Sequence, residues 1–176
     1  IMGVYFLRKL EEESSKSIFE SFDLFIGTSA GATNALMLGM NGSNIEDLEK
    51  FWTIENLKRI MNQSFIDKTS IFQTRPKYSN EGKKKILYNF FENKKIGSSL
   101  KPVVVTAYDL EARKPILLSS YGDPEVTAVQ AANASSAAPI YFPTASMEDG
   151  RWLIDGGIAT NNPSLLGYVE AKKIFS

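Results

Sequence analysis

The stretch FDLFIGTSAGATNALMLGM, residues 22–40, decides the fold. Residues 22–28 are a short apolar run bounded by turn-formers, the pattern of a buried strand. Residues 30–40 follow as a helix rich in Ala, Leu and Met, and Asn41-Gly42 closes it with residues that tolerate left-handed geometry. Between the two lies Gly27-Thr28-Ser29-Ala30-Gly31, a G-x-S-x-G pentapeptide. On a sharp strand-to-helix turn this pattern mounts a nucleophilic serine at the strand's carboxyl end. Gly27 and Gly31 are expected to remove side chains that would collide in that turn. The helix start at Ala30 aims backbone N–H groups and a positive dipole end at the site. A chain of this length contains the pattern by chance about 0.06 times. Its placement between strand and helix favours a nucleophile over a plain Gly-Ser turn.

A serine hydroxyl needs a base, usually histidine, and the 176 residues contain no histidine. The base must come from elsewhere. Catalytic groups in open α/β sheets gather at the carboxyl ends of strands, where two aspartates stand. Asp109 follows VVVTAY and leads into a charged loop with Glu111, Arg113 and Lys114, in which it is expected to be solvated or paired. Asp155 follows RWLI and precedes Gly156-Gly157, which lets backbone or substrate come close. Position favours Asp155, with Asp109 as the alternative; an Asp-Gly turn between strands is the plain reading of the same residues.

The rest of the chain alternates strands with helices, which predicts an α/β sandwich with a largely parallel sheet. Helices are expected over residues 1–13, over 44–62 with Asn44 as N-cap, and over 81–95 behind Asn80. Residues 62–79 read as irregular. The segment 101–108 (KPVVVTAY) is the clearest strand and pairs with 114–120 through the loop 109–113. Asp123-Pro124-Glu125 carries the signals of a helix start, and the helix of small residues behind it ends before Pro139. That helix is expected to pack closely near the site, with no catalytic role for Ser135 or Ser136. A short strand over 151–155 and a last helix capped by Asn162-Pro163 complete the pattern. The lysines of 81–95 are expected to be solvated around an apolar stripe facing the core, although the same face could lean on an anionic membrane.

Composition narrows the function. Twenty basic residues balance twenty acidic ones, so no bulk basic field argues for nucleic acid. Without Cys or His, neither a disulfide, a thiolate nucleophile nor a zinc site of the usual ligands is expected. No apolar run approaches a membrane span. The protein is expected to be soluble, cytoplasmic or peripheral at membranes, with no cofactor and with its oligomeric state undetermined.

GTSAG, SSAAPIYFPT and LIDGGIATNNP, in this order, together resemble the patatin-like phospholipases. These are lipid acyl hydrolases that use a Ser-Asp dyad without histidine. The resemblance covers nearly the whole chain and implies a three-layer α/β/α sandwich. It also implies Ser29 as nucleophile and Asp155, in the Asp-Gly-Gly motif with Gly156 and Gly157, as proton acceptor. The substrate it implies is a phospholipid or another lipid ester, reached by peripheral membrane contact and cleaved through an acyl-serine intermediate. An ordinary aspartate, with a pKa of about 3.9, is a weak base, so Trp152, Leu153 and Ile154 are expected to shield Asp155 from water. In the family the oxyanion hole is a glycine-rich loop between the first strand and the first helix. Here that loop is expected upstream of Ile1, with the Ala30 N–H as the donor inside the chain. Residues 1–176 are thus expected to be a single catalytic domain lacking a piece at each end. A Ser-His-Asp esterase with its histidine outside this segment, and a silent binding domain, are the competing readings.

Overall fold

The computed structural model describes residues 2–62 and 76–176. Helix α1 (Met2–Ser14) and the single turn α2 (Ile18–Ser21) lead into strand β1 (Phe25–Gly27), and helix α3 (Ala30–Asn41) follows at once. Helices α4 (Ile45–Phe51), α5 (Ile54–Ile60) and α6 (Asn80–Phe91) come next, then the hairpin of β2 (Val103–Asp109) and β3 (Lys114–Ser119). Helix α7 (Ala128–Ser135), strands β4 (Ala145–Ser146) and β5 (Trp152–Asp155), and helix α8 (Ser164–Phe175) complete the order.

The valine-rich β2 is buried along most of its length and forms the centre of the sheet. Its β-branched run fits a pleated surface covered on both sides. Among the described residues the sheet is mixed. β1 joins β2 in parallel, Phe25 opposite Val103 and Gly27 opposite Val105, whereas β3 and β5 join β2 antiparallel and β4 joins β5 antiparallel. The expected sandwich is therefore present around a sheet with one parallel pairing among those described. For β3 the physical reason is connection length: the loop between β2 and β3 is too short for a crossover, which a parallel neighbour would need.

Successive strand residues face opposite ways, and β1 shows what each face meets. Gly39 of α3 lies against Phe25 and Val103 on one face, and Gly167 of α8 lies against Ile26 on the other. α7 packs beside α3 and on β2 and β5. α3 is buried nearly all round, with Leu36 and Met37 among the most enclosed side chains. Each such side chain contributes about 1.5–3 kcal/mol by leaving water. The helix ends as expected: Gly42 is left-handed, its N–H donating to Leu38 O at 3.0 Å, and the Ser43 N–H donates to Met37 O at 3.3 Å.

Several boundaries differ from expectation. The strand expected over 22–28 is only Phe25–Gly27. The helix expected over 44–62 starts where Asn44 caps it, Oδ1 accepting from the Asp47 N–H at 2.9 Å. It then breaks in two, because Thr53 takes extended geometry and caps α5 by accepting from the Asn56 N–H. The helix start expected at Asp123 lies instead at Ala128. Thr127 and Gln130 form a reciprocal capping box there, while Asp123 Oδ2 accepts from the Ser119 N–H at the end of β3. α6 stops at Phe91, where Glu92 turns to φ 51°, so Lys94 and Lys95 lie beyond it. The hairpin of β2 and β3 agrees with expectation, and Asn162 Oδ1 accepts from the Ser164 N–H at the start of α8. The irregular segment expected over 62–79 falls mostly outside the described residues.

Candidate active site

Ser29 stands between β1 and α3 with φ 57° and ψ −121°, a conformation that costs a residue with a side chain about 1–3 kcal/mol. A web of bonds holds the turn against that strain. The Ser29 N–H donates to Ser135 Oγ at 2.9 Å, the Gly31 N–H to Thr28 O at 2.9 Å and the Ala32 N–H to Ser29 O at 3.0 Å. The Thr28 hydroxyl donates to Thr160 O at 2.9 Å, so in its 2.8 Å contact with Thr106 Oγ1 it acts as acceptor. The two glycines of the pentapeptide are not equivalent. A Cβ on Gly27 would lie 2.1 Å from Gly31 O, an overlap with backbone that cannot relax cheaply, whereas one on Gly31 meets nothing within 4 Å. The expected collision at Gly31 is thereby corrected: a side chain there would enter open space.

Asp155 ends β5, where its register partner on β2 is Ala107. It is 7% exposed. Its N–H donates to Ala137 O at 3.1 Å, which anchors the backbone to the segment after α7. Its two carboxylate oxygens have separate donors. The Gly157 N–H reaches Oδ1 at 2.8 Å and the Ser29 hydroxyl reaches Oδ2 at 2.7 Å, across 126 residues of sequence. The chain turns after Asp155 into a 3₁₀ turn, Gly156–Ile158, and not into a hairpin. The shielding differs from expectation, because strand alternation turns Trp152 outward, 48% exposed, while Leu153 is buried. Of the two expectations for Asp109, solvated or paired, the first fails, since it is only 6% exposed, and its partners are backbone donors. Its Oδ1 accepts from the Glu111 and Ala112 N–H groups at 2.9 Å each, which makes it the organiser of the hairpin turn.

A pocket of about 190 Å³ opens beside Ser29 and Ala30. Trp52, Leu57, Ile60, Leu87 and Phe142 give it apolar walls, and Lys83 is its one charged lining residue among the described residues. Only 4% of Lys83 is exposed, contrary to the expectation that the lysines of this helix are solvated. Its Nζ donates to Ser136 O at 3.0 Å and, more weakly, to Asn133 O at 3.5 Å, and lies 4.1 Å from the centre of the Phe142 ring. Burial pulls its pKa down to about 7, opposed by the nearby Asp155 charge and reinforced by Lys84. Sequence reasoning missed both Lys83 and Ser135. A usable signal for Lys83 existed: it shares the helical stripe of Ile86 and Leu87, all buried in α6.

A serine hydroxyl on a strained elbow, hydrogen-bonded to a buried carboxylate and opening on an apolar pocket, can give up its proton as it attacks an acyl group. The chain is 28% identical to patatin-like protein 4 of Arabidopsis thaliana over 92% of its own length and 44% of that protein. It is 30% identical to a cGAMP-activated phospholipase of Pseudomonas aeruginosa over 94% of its length and 51% of that protein. The chain thus spans about half the length of these relatives. VipD from Legionella pneumophila shares the fold, with a TM-score of 0.64 over 92% of this chain and 45% of that one at 16% identity. The patatin-like phospholipase family profile matches residues 1–166, and to that family the chain belongs.

Proposed function

We propose that the protein hydrolyses carboxylic esters of lipids, with Ser29 as nucleophile and Asp155 as the group that takes its proton. The observation that carries this reading is the 2.7 Å bond from the Ser29 hydroxyl to Asp155 Oδ2. As Ser29 Oγ bonds to the ester carbon, the hydroxyl proton passes to Asp155 and the carbonyl oxygen becomes an oxyanion. The Ala30 N–H, at the head of α3 where first-turn donors have no intrahelical acceptor, is the chain's donor to that oxyanion. Collapse breaks the bond to the alcohol oxygen, which leaves with the proton from Asp155, and the acyl group stays on Ser29. Water then attacks the acyl carbon, Asp155 takes its proton, and the fatty acid departs as Ser29 regains a proton from Asp155.

Lipid rather than small polar substrate is supported by the apolar walls of the pocket beside Ser29 and by family membership. No described helix is long and apolar enough to cross a membrane; a phospholipid substrate would be met at a membrane surface. Exposed Met61, Ile140 and Tyr141, with Lys77 held over the Tyr141 ring, suit such contact. The test is labelling by a fluorophosphonate together with release of fatty acid from phospholipid vesicles. Both should occur in the native protein and vanish in Ser29→Ala. Equal labelling and release by Ser29→Ala would overturn the reading.

A further inference from the structure

Three successive residues at the end of α7 touch three different partners. Ser135 Oγ accepts from the Ser29 N–H at 2.9 Å, Ser136 O accepts from Lys83 Nζ at 3.0 Å, and Ala137 O accepts from the Asp155 N–H at 3.1 Å. The backbones of Ser29 and Asp155 are therefore both tied to one short segment, and Lys83 grips its middle. The segment needs an external hold. It lies where α7 runs out and the last carbonyls of a helix lose their intrahelical donors, two residues before Pro139, which has no N–H to offer. A lysine near a helix C-terminus satisfies such carbonyls.

We propose that Lys83 is a positioning residue for the Ser29–Asp155 pair: its amino group clamps the carbonyls at the end of α7 and so fixes residues 135–137, to which both backbones are anchored. The proposal rests on the reading of that pair as the catalytic dyad. The plainer role, a lysine that merely caps a helix, would leave the geometry of the pair indifferent to its loss. A role as a wall of the pocket would show in substrate binding alone. The bond network distinguishes the clamp from both, since Ser136 has residues anchored to Ser29 and Asp155 on either side. The clamp does not depend on charge, because an uncharged amine still carries two N–H donors for two carbonyls.

The test compares native protein with Lys83→Met, which keeps the length of the side chain without its donors, and with Lys83→Arg, which keeps donors. Amide hydrogen exchange at Ser29 and Asp155 should quicken by about tenfold or more in Lys83→Met while the β2–β3 ladder is unchanged. The kcat for a short-chain ester should fall by about 10- to 100-fold with KM nearly constant, as misplacement of reacting groups predicts. Lys83→Arg should recover most of both. Unchanged exchange at the two amides would overturn the clamp, and so would a rise in KM at constant kcat. If the native protein fails to turn over any ester, or Ser29→Ala does so normally, the hydrolase reading falls instead. The exchange measurement still decides the clamp in that case.

Discussion

Gly156 stands so close to Thr106 that a Cβ on it would lie 2.2 Å from Thr106 Oγ1. The backbone just after Asp155 is thus pressed against β2, and the same threonine reaches Thr28 beneath the serine turn at 2.8 Å. Gly156→Ala should push this contact apart and shift Asp155 with it. A loss of about 1–3 kcal/mol in stability is expected from overpacking, with a larger proportional loss of esterase rate. Thermal melting and turnover measured together check it.

The two glycines of the serine turn make a sharper comparison. Gly27→Ala would drive its Cβ into Gly31 O, while Gly31→Ala enters open space at the start of α3. Gly27→Ala should therefore unfold or inactivate the protein. Gly31→Ala should keep its fold and gain up to about 1 kcal/mol from helix propensity. Equal behaviour of the two in a urea melt would contradict this account of the turn.

For the dyad, Ser29→Ala and Asp155→Asn should each lower turnover by at least about a thousandfold, and the double variant should be no worse than either, as expected of residues that act as one unit. Near-normal turnover by Asp155→Asn would dismiss it as the base.

Local chemistry decided which parts of this site could be read in the sequence. Ser29 and Asp155 carry local signatures, a turn that needs its neighbours and an aspartate followed by glycines. α3 and the β2–β3 hairpin were legible because apolar runs and turn residues specify them over short spans. The break at Thr53 was not, since apolar residues continue on both sides and only a side-chain cap marks the new start. Asp123-Pro124 misled for the opposite reason, because its helix-start signals serve a turn whose Asp123 binds the end of β3. Lys83 and Ser135 matter through contacts with residues far away in the chain, Ser136 for one and Ser29 for the other. The helical stripe shared with Ile86 and Leu87 marks Lys83 as buried, but no local pattern announces its partner or that of Ser135.

Ser135 offers a test of the serine turn from its partner's side. Ser135→Ala removes the acceptor of the Ser29 N–H, and a buried donor left unpaired costs about 1–3 kcal/mol. Stability should fall by that order and the esterase rate with it. Full activity in Ser135→Ala would show that the strained Ser29 backbone is held without this bond.

The last prediction concerns pH. Burial lowers Lys83 to about 7 in the folded protein, against about 10.4 for an unfolded lysine. Between those values the unfolded chain binds a proton that the folded protein has released, so stability rises with pH across this window. Below about 7 both states are protonated and the contribution levels off at its least favourable value. Above about 10.4 both are neutral and it levels off at its most favourable. Lys83→Met lacks this group but keeps Asp155, Lys84 and every exposed charge, so the difference between the two proteins isolates it. Each tenfold change in proton affinity between the folded and unfolded chain is worth about 1.4 kcal/mol. On that scale, native protein should gain about 1–4 kcal/mol on Lys83→Met between about pH 7 and 10. Urea unfolding of both proteins at several pH values measures the gain. A difference that stayed flat, or shrank as pH rose, would mean that Lys83 keeps its proton throughout, held by the Ser136 and Asn133 carbonyls and the Asp155 charge against the cost of burial.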